Sequence, residues 1–273
     1  MNASSTITAS PKALLSGWER ALLIVPALAG LVLGLFPLLL PKTFADLAQF
    51  PADDQYIYRL AGAATLGYGV ALSIGVFQKE WRMLRLTVIA VLVFNLASLY
   101  ACGSTIIRGQ APYSVYIVLA CSILFVAISG LLLARHAGVP RLEADRTSGL
   151  LRIFLVVGAI AAGFFGLLPL FIPDFFKLFN FTINAPFILQ QAGAASLGYA
   201  VIAVLAQRVV NSRELILIGV MAAIFNGAGG LASLPYILDL RILPLPQLIA
   251  PVGLLVLVGS LLFLRLTMTK TER

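Results

Sequence analysis

A single arginine stands inside a long apolar stretch, close to other residues that could do chemistry. Arg59 follows Asp53, Asp54 and Tyr56 within two helical turns, so a cation, two carboxylates and a phenol share one short segment. Such a cluster can bind a polar substrate or act on a lipid headgroup. The alternative is an anchor, because a long arginine stem can carry its charge to the interface. Asp53, Asp54 and Tyr56 form a candidate outer polar cluster, and both interpretations stay open.

Two asparagines stand in the middle of apolar runs. Asn95 and Asn226 must face protein, because an unpaired amide is costly in hydrocarbon. We expect Tyr68 and Tyr199 on neighbouring helices to be their hydrogen-bond partners. The amides either hold helices together or contact a substrate at the membrane midplane. The candidate ligand-binding residues of the chain are Arg59, Tyr68, Asn95, Gln190, Tyr199 and Asn226.

The composition of the chain around these residues is that of a membrane protein. Its 273 residues are 60% hydrophobic and 11% charged, with a mean hydropathy of +1.01, whereas soluble domains are about 25% charged. The net charge of +8 does not indicate nucleic-acid binding, because the basic residues are scattered between apolar runs. Apolar runs of about 20 residues predict eight transmembrane helices, at 21–40, 57–77, 86–103, 113–134, 153–172, 186–206, 215–234 and 243–264.

The distribution of basic residues predicts the orientation. An even number of helices places both termini on one side, and with the N-terminus inside, 14 of the 19 Lys and Arg residues fall on inner segments. This bias predicts a plasma membrane protein, in a bacterial inner membrane, with cytoplasmic N- and C-termini and with Trp81 as an inner-interface anchor. The first run also resembles a signal peptide with a cleavage site at Ala27-Leu28-Ala29. Its length and its repeat partner favour a helix.

The second half of the sequence repeats the first at a shift of 130 to 132 residues. GLFPLLLP at 34–41 matches GLLPLFIP at 166–173, AGAATLGY at 61–68 matches AGAASLGY at 192–199, and Phe94-Asn95 matches Phe225-Asn226. Because each unit has four helices, both enter the membrane in the same direction. We expect an all-α integral membrane fold of two parallel four-helix repeats related by a pseudo-two-fold axis along the membrane normal. The predicted parts are a disordered cytoplasmic tail (1–17), the first repeat (18–135), a cytoplasmic linker (136–150), the second repeat (151–267) and a cytoplasmic tail (268–273).

Small residues recur at helical spacing in both copies. Ala61, Thr65 and Gly69 share one face, which favours close helix packing, although such a face could also line a channel. The first helix of each repeat ends at a pair of spaced prolines. It is followed by a loop with an amphipathic segment, PKTFADLAQFPADD in the first repeat and PDFFKLFNFTINAP in the second. These segments either lie in the interface or form lids over a cavity. The copies differ where Arg59 is matched by Gln190.

Few groups outside these positions could support catalysis. His136 is the only histidine, and we expect it in a polar loop beside Arg135, so histidine metal sites and Ser–His or Cys–His pairs are excluded. None of the eight predicted cores contains Asp or Glu, which argues against proton-coupled transport. Cys102 and Cys121 are expected to differ in depth by about 10 Å, too far for a disulfide. We expect no metal, no cofactor and no enzyme activity.

Three classes of function fit this sequence. The favoured one is a noncatalytic multi-pass membrane protein, either an accessory or scaffold subunit or a bundle that binds an apolar ligand such as a lipid, quinone or pigment. The alternative is a facilitator-type small-molecule transporter with its site between the repeats. A membrane enzyme that uses Arg59 with Asp53 or Asp54 is third. The expected partners are the lipid bilayer and either another membrane protein or a second copy of the chain, with no nucleic acid.

Overall fold

The computed structural model is helical throughout the residues it describes, which are 14–51, 55–109, 111–140, 149–179, 186–209, 211–238 and 245–271. Eight of the α-helices in these ranges, all except α2, are long and apolar enough to cross a membrane. This confirms the predicted number of spans. The helices are α1 (Gly17–Leu39), α2 (Pro41–Ala48), α3 (Gln55–Gln78), α4 (Trp81–Ile107), α5 (Tyr113–Arg135), α6 (Gly149–Phe171), α7 (Pro186–Ala206), α8 (Ile216–Ser233) and α9 (Leu245–Thr271).

The helix ends follow local signals in the sequence. α1 begins after Ser16, whose backbone N–H and hydroxyl both donate to the Glu19 carboxylate at 2.7 Å, as in a capping box. α1 and α6 end just before Pro41 and Pro173, as the spaced prolines predict. The predicted amphipathic segments correspond to α2 and to a 3-10 segment over Pro173–Phe179.

Described residues extend into both predicted tails. Leu15 is buried, and its N–H donates to the Lys79 carbonyl at 2.8 Å. α9 continues to Thr271, beyond the predicted start of the C-terminal tail at residue 268. Polarity marks where a chain leaves the apolar layer, whereas the end of a helix is set by its backbone hydrogen bonds and can lie beyond that point. Residues 1–13 of the N-terminal tail and 141–148 of the linker lie outside the described residues.

The spanning helices form an inner and an outer set. In α3, α4, α7 and α8, 50 to 67% of the most apolar window is buried, against 22 to 28% in α1, α5, α6 and α9. The outer helices pack on the inner ones in the pairs α1 on α3, α5 on α4, α6 on α7 and α9 on α8. Inside, α3 packs mainly on α8 and α4 on α7. The two halves of the chain therefore interlock and do not form two separate bundles.

Small residues bring the outer helices close to the inner ones. A methyl group at Gly30 would lie 2.8 Å from the Gly69 Cα, and one at Gly34 would lie 2.6 Å from the Leu66 Cα. In the other half, a methyl group at Gly166 would lie 2.9 Å from the Leu197 N. Such close approach is how helices associate in lipid, where burying apolar surface contributes little. The packing role predicted for Gly69 is confirmed.

The two ends of the bundle hold different elements. The end that holds the start of α1, the turn between α3 and α4 and the ends of α5 and α9 is called the base. Contacts within it include Leu15 with Lys79 and an ion pair between Arg85 and Glu214 at 3.4 Å. The opposite end, which holds α2 and the start of α3, is called the rim.

Candidate functional site

Tyr68 and Tyr199 meet inside the inner bundle. The Tyr68 hydroxyl donates to the Ala195 carbonyl at 2.6 Å, and the Tyr199 hydroxyl donates to the Ala64 carbonyl at 3.0 Å. The two ring centroids are 4.8 Å apart, and both side chains are buried. We call this reciprocal pair of hydrogen bonds between α3 and α7 the tyrosine seam.

Two glycines make room for these hydroxyl groups. A methyl group at Gly67 would overlap the Tyr199 hydroxyl and lie 2.9 Å from the Met221 carbonyl oxygen. A methyl group at Gly198 would overlap the Tyr68 hydroxyl in the same way. The Gly-Tyr pairs of the repeated motif are therefore explained by two residues that fit each other across the seam.

The expected hydrogen bonds between asparagine and tyrosine are wrong. The Asn95 amide donates to the Val91 carbonyl at 2.8 Å, and the Asn226 amide donates to the Ala222 carbonyl at 2.9 Å. Both bonds run back four residues along the same helix. An amide in a membrane helix can be satisfied this way without a neighbour, while the longer tyrosine side chain reaches a carbonyl of the facing helix.

Arg59 and Gln190 make corresponding contacts. Arg59 Nη1 donates to the Leu38 carbonyl at 2.8 Å, and Gln190 Nε2 donates to the Leu170 carbonyl at 3.0 Å. Both carbonyls lie in the last turn of a helix, where they have no intrahelical partner. The unlike side chains at matched positions therefore do one structural task, which is to cap the rim ends of α1 and α6.

The candidate outer polar cluster is described only in part. Asp53 and Asp54 lie outside the described residues. Tyr56 is buried, and its hydroxyl shares a hydrogen bond with Ser233 Oγ at 2.8 Å. Its ring centroid is 5.0 Å from that of Tyr236. Tyr56 thus ties α3 to α8 at the rim, and its grouping with Asp53 and Asp54 stays a prediction.

An ionic cluster around the buried Glu19 carboxylate at the base was not expected. Glu19 Oε1 lies 2.9 Å from Arg135 Nε and 3.0 Å from His136 Nε2, and Trp81 stacks on His136 with centroids 4.5 Å apart. We call Glu19, Arg135 and His136 the Glu19 clasp, which joins the start of α1 to the end of α5. His136 lies in the turn directly after Arg135, as predicted, but its side chain is buried, and the interface position expected for Trp81 is wrong because that side chain is buried too. The Ser16-x-x-Glu19 capping-box pattern was the one feature of the sequence that could have drawn attention to Glu19.

A cavity of about 600 Å³ lies between the outer helices α6 and α9, with α3, α7 and α8 behind it. Its volume is within the range of about 300 to 1,000 Å³ usual for ligand pockets. Its lining runs from Leu151 to Pro169 on α6 and from Leu245 to Phe263 on α9. At the helical rise these stretches are about 27 Å long, close to the thickness of the hydrocarbon layer. The cavity is therefore a long, narrow slot that runs along the two outer helices.

No protein-family model, curated protein or solved structure matches this chain. The slot must be interpreted from its own geometry. Val157 on α6 and Val252 and Leu262 on α9 line it, yet they are 60%, 46% and 56% exposed. Because α6 and α9 are outer helices, the slot opens sideways on the apolar surface between them.

A few polar groups interrupt the apolar lining. Ser196, Tyr199, Asn226 and Ser260 contribute to it. Ser260 is 3% exposed, and its hydroxyl has no hydrogen-bond partner within the described part of the chain. Of the six predicted ligand-binding residues, the slot brings together only Tyr199 and Asn226. The described residues include no group of three or more His, Cys, Asp or Glu side chains that could hold a metal ion.

Proposed function

We propose that this chain is a noncatalytic multi-pass membrane protein that binds an apolar, chain-like ligand in the slot between α6 and α9. The observation that carries the proposal is the slot itself, a cavity of about 600 Å³ with an almost wholly apolar lining. Ligand sites are concave and mainly apolar, with a few polar groups that fix orientation. Ser260 and Asn226 supply such groups.

The shape of the slot favours a chain over a compact molecule. About 600 Å³ extends over about 27 Å of helix, so a round ligand would leave most of the length empty. The lateral opening faces the region that acyl and isoprenoid chains occupy in a bilayer. A ligand can therefore enter from the membrane without crossing water.

The two halves differ at the position that forms the base end of the slot. In the first half, the Glu19 clasp ties α1 to α5 at the base. The residue that matches Glu19, at the shift of 132 that aligns Gly34 with Gly166, is Leu151. Leu151 lines the slot. Where the first half has an ionic tie between its outer helices, the second half has the end of an apolar cavity.

The central contacts favour a binding protein over a facilitator. A pathway between the halves would pass Tyr68 and Tyr199, but both hydroxyls are used in the tyrosine seam, and Gly67 and Gly198 allow no space around them. The noncatalytic assignment is supported by the position of His136, the only histidine in the sequence. Its ring lies in the Glu19 clasp and not in the slot. The protein could hold an apolar ligand and also act as a scaffold for a partner protein, so a scaffold role does not replace the proposed ligand binding.

The symmetry of the two repeats and the orientation of the chain in the membrane are part of the same proposal. Matched contacts support two parallel repeats related by an axis along the membrane normal, since Arg59 and Gln190 cap matched helix ends and the tyrosine seam is reciprocal. The concentration of arginines at the base supports cytoplasmic termini. A bacterial inner membrane is the proposed location.

The test fills the slot without disturbing the helices. Gly158 lines the slot, and a side chain placed there meets no atom within 4 Å, so Gly158→Phe extends into the cavity. Gly130 on α5 has the same freedom and does not line the slot, which makes Gly130→Phe a matched control. Binding is measured with the neutral methyl ester of a fluorescent polyene fatty acid.

We expect the probe to bind the wild type and Gly130→Phe equally and to bind Gly158→Phe much more weakly. Ala161→Phe, a second change in the slot lining, is expected to behave like Gly158→Phe. Thermal unfolding of all four proteins shows whether they are folded. Equal probe binding by folded Gly158→Phe, folded Ala161→Phe and the wild type would contradict the proposal.

A further inference from the structure

We infer that the ligand of the slot is an acidic amphiphile, with its chain between α6 and α9 and its anionic headgroup bound by Arg152 and Arg265 at the base. The inference rests on the proposed function and specifies the class of ligand. It differs from a neutral quinone or pigment, which would place no charge beside these two arginines.

Both arginines stand at the base end of the slot. Arg152 directly follows Leu151 and lies one helical turn before Leu155, and both leucines line the slot. Arg265 lies one turn after Leu262, which lines the slot on α9. Residues three apart share a helix face. The two arginines therefore stand just beyond the residues that line the slot, one on each of the outer helices that form its walls.

Their side chains can reach a headgroup at the membrane interface. Arg152 and Arg265 are exposed, and long arginine stems extend along apolar surface to the interface. The slot opens sideways between the same two helices, so a lipid whose chain enters there carries its headgroup to this level. An arginine pair suits phosphate because each guanidinium can donate two parallel hydrogen bonds.

The carboxylates in the described part of the base lie beside other arginines. Each of the three described there lies within 4 Å of an arginine, in the pairs Glu19 with Arg135 at 2.9 Å, Glu214 with Arg85 at 3.4 Å and Glu80 with Arg213 at 3.9 Å. No described carboxylate forms an ion pair with Arg152. Arg152 and Arg265 thus place two basic side chains beside the base end of the apolar cavity.

This combination selects for charge as well as for a chain. A basic residue close to an anionic membrane surface contributes roughly a fivefold preference for acidic lipid, so two contribute about 30-fold. Basic pockets between helices recognise anionic headgroups in this way. Acidic phospholipids and isoprenoid phosphates share the required chemistry, which is a phosphate joined to a long chain.

The experiment compares headgroups on the same chains. Purified protein in detergent is titrated with phosphatidylglycerol or phosphatidylcholine of identical acyl chains, and bound lipid is counted by native mass spectrometry. The double variant Arg152→Gln/Arg265→Gln is compared with Arg108→Gln, which removes an exposed cation at the rim. Inorganic phosphate and an isoprenoid phosphate are tested as competitors.

We expect the wild type and Arg108→Gln to prefer phosphatidylglycerol by about 30-fold and the double variant to lose most of that preference. The double variant should still bind the neutral polyene ester, because its slot is unchanged. Competition by the isoprenoid phosphate but not by inorganic phosphate identifies a chain-borne headgroup. Competition by inorganic phosphate at the same concentration would overturn the inference, because the chain would then be unnecessary.

The two proposals fail in different ways. If the wild type shows no headgroup preference, or the double variant keeps the wild-type preference, the inference is wrong while a slot for neutral chains remains. If Gly158→Phe leaves the binding of both the neutral ester and the lipids unchanged, the slot is not the site, and the proposed function fails with it.

Discussion

We predict that the close fit of Gly67 against the Tyr199 hydroxyl contributes strongly to the stability of the folded protein. Gly67→Ala places a methyl group onto the Tyr199 hydroxyl and 2.9 Å from the Met221 carbonyl oxygen. The hydroxyl must move and lose its bond to Ala64, and α3 must shift away from α8. Overpacking of this kind typically costs about 1 to 3 kcal/mol, and an interhelical hydrogen bond in a membrane contributes about 0.6 to 1.7 kcal/mol. We expect Gly67→Ala to lower the free energy of unfolding by about 2 to 4 kcal/mol.

A double-mutant cycle separates the two contributions. Tyr199→Phe removes only the hydroxyl and should cost about 1 kcal/mol. In Gly67→Ala/Tyr199→Phe the methyl group no longer meets a hydroxyl, although the Met221 contact remains. The double variant should therefore be about as stable as Gly67→Ala alone, with a coupling of about 1 kcal/mol between the two changes.

Thermal unfolding in detergent measures these differences. A thiol-reactive fluorophore reports unfolding because Cys102 is fully buried in the folded protein. Gly103→Ala is the control, since a methyl group there meets no atom within 4 Å and alanine favours a helix by about 0.5 to 1 kcal/mol over glycine. The reasoning is refuted if Gly67→Ala and Gly103→Ala melt at the same temperature. It is also refuted if the loss of unfolding free energy in the double variant equals the sum of the losses in the two single variants.

Two further changes test the helix ends. Arg59→Gln should leave thermal stability nearly unchanged, because Gln190 makes the corresponding bond in the other half, whereas Arg59→Leu should lower it by about 1 kcal/mol; equal melting of the two variants would contradict the cap. Glu19→Gln should lower stability by about 1.5 to 3 kcal/mol, because it weakens charged hydrogen bonds to Arg135 and His136, while Asp46→Asn on α2 serves as the control, and equal melting of both would contradict the Glu19 clasp.

The sequence predicted the spans well because membrane helices are defined by a simple requirement. A segment must be apolar over about 20 residues to cross the hydrocarbon layer. The spaced prolines that finish at Pro41 and Pro173 mark where two of the helices end. The burial of Trp81 and His136 was missed because it depends on Glu19, which stands outside the apolar core that hydropathy detects. A buried ion pair leaves no periodic pattern along the chain.

The candidate site was harder to predict for a different reason. Sequence analysis selects polar residues in apolar runs, and most of those selected are used in contacts within the bundle, as Tyr68 and Gln190 are. The slot is lined by side chains such as Val157 and Leu262, which look the same in sequence whether they face lipid or a cavity. Only the packing of α6 and α9 distinguishes the two environments.

The lining of the slot differs from the matched positions in the rest of the bundle. Across α5, α4 and α7, Ser122 Oγ donates to Ser98 Oγ at 2.9 Å, and Ser98 Oγ donates to Gln191 Oε1 at 3.0 Å.

At shifts of 130 and 131 residues, the positions that match these three polar residues are Val252, Gly229 and Leu60. All three line the slot. If the halves are copies, one retains a hydrogen-bonded chain of side chains that holds three helices together. The other has an apolar set, with no side chain at Gly229, and helices without that polar connection can stand far enough apart to admit a ligand. Loss or gain of a few hydrogen bonds after a duplication is then sufficient to convert a packing interface into an apolar slot.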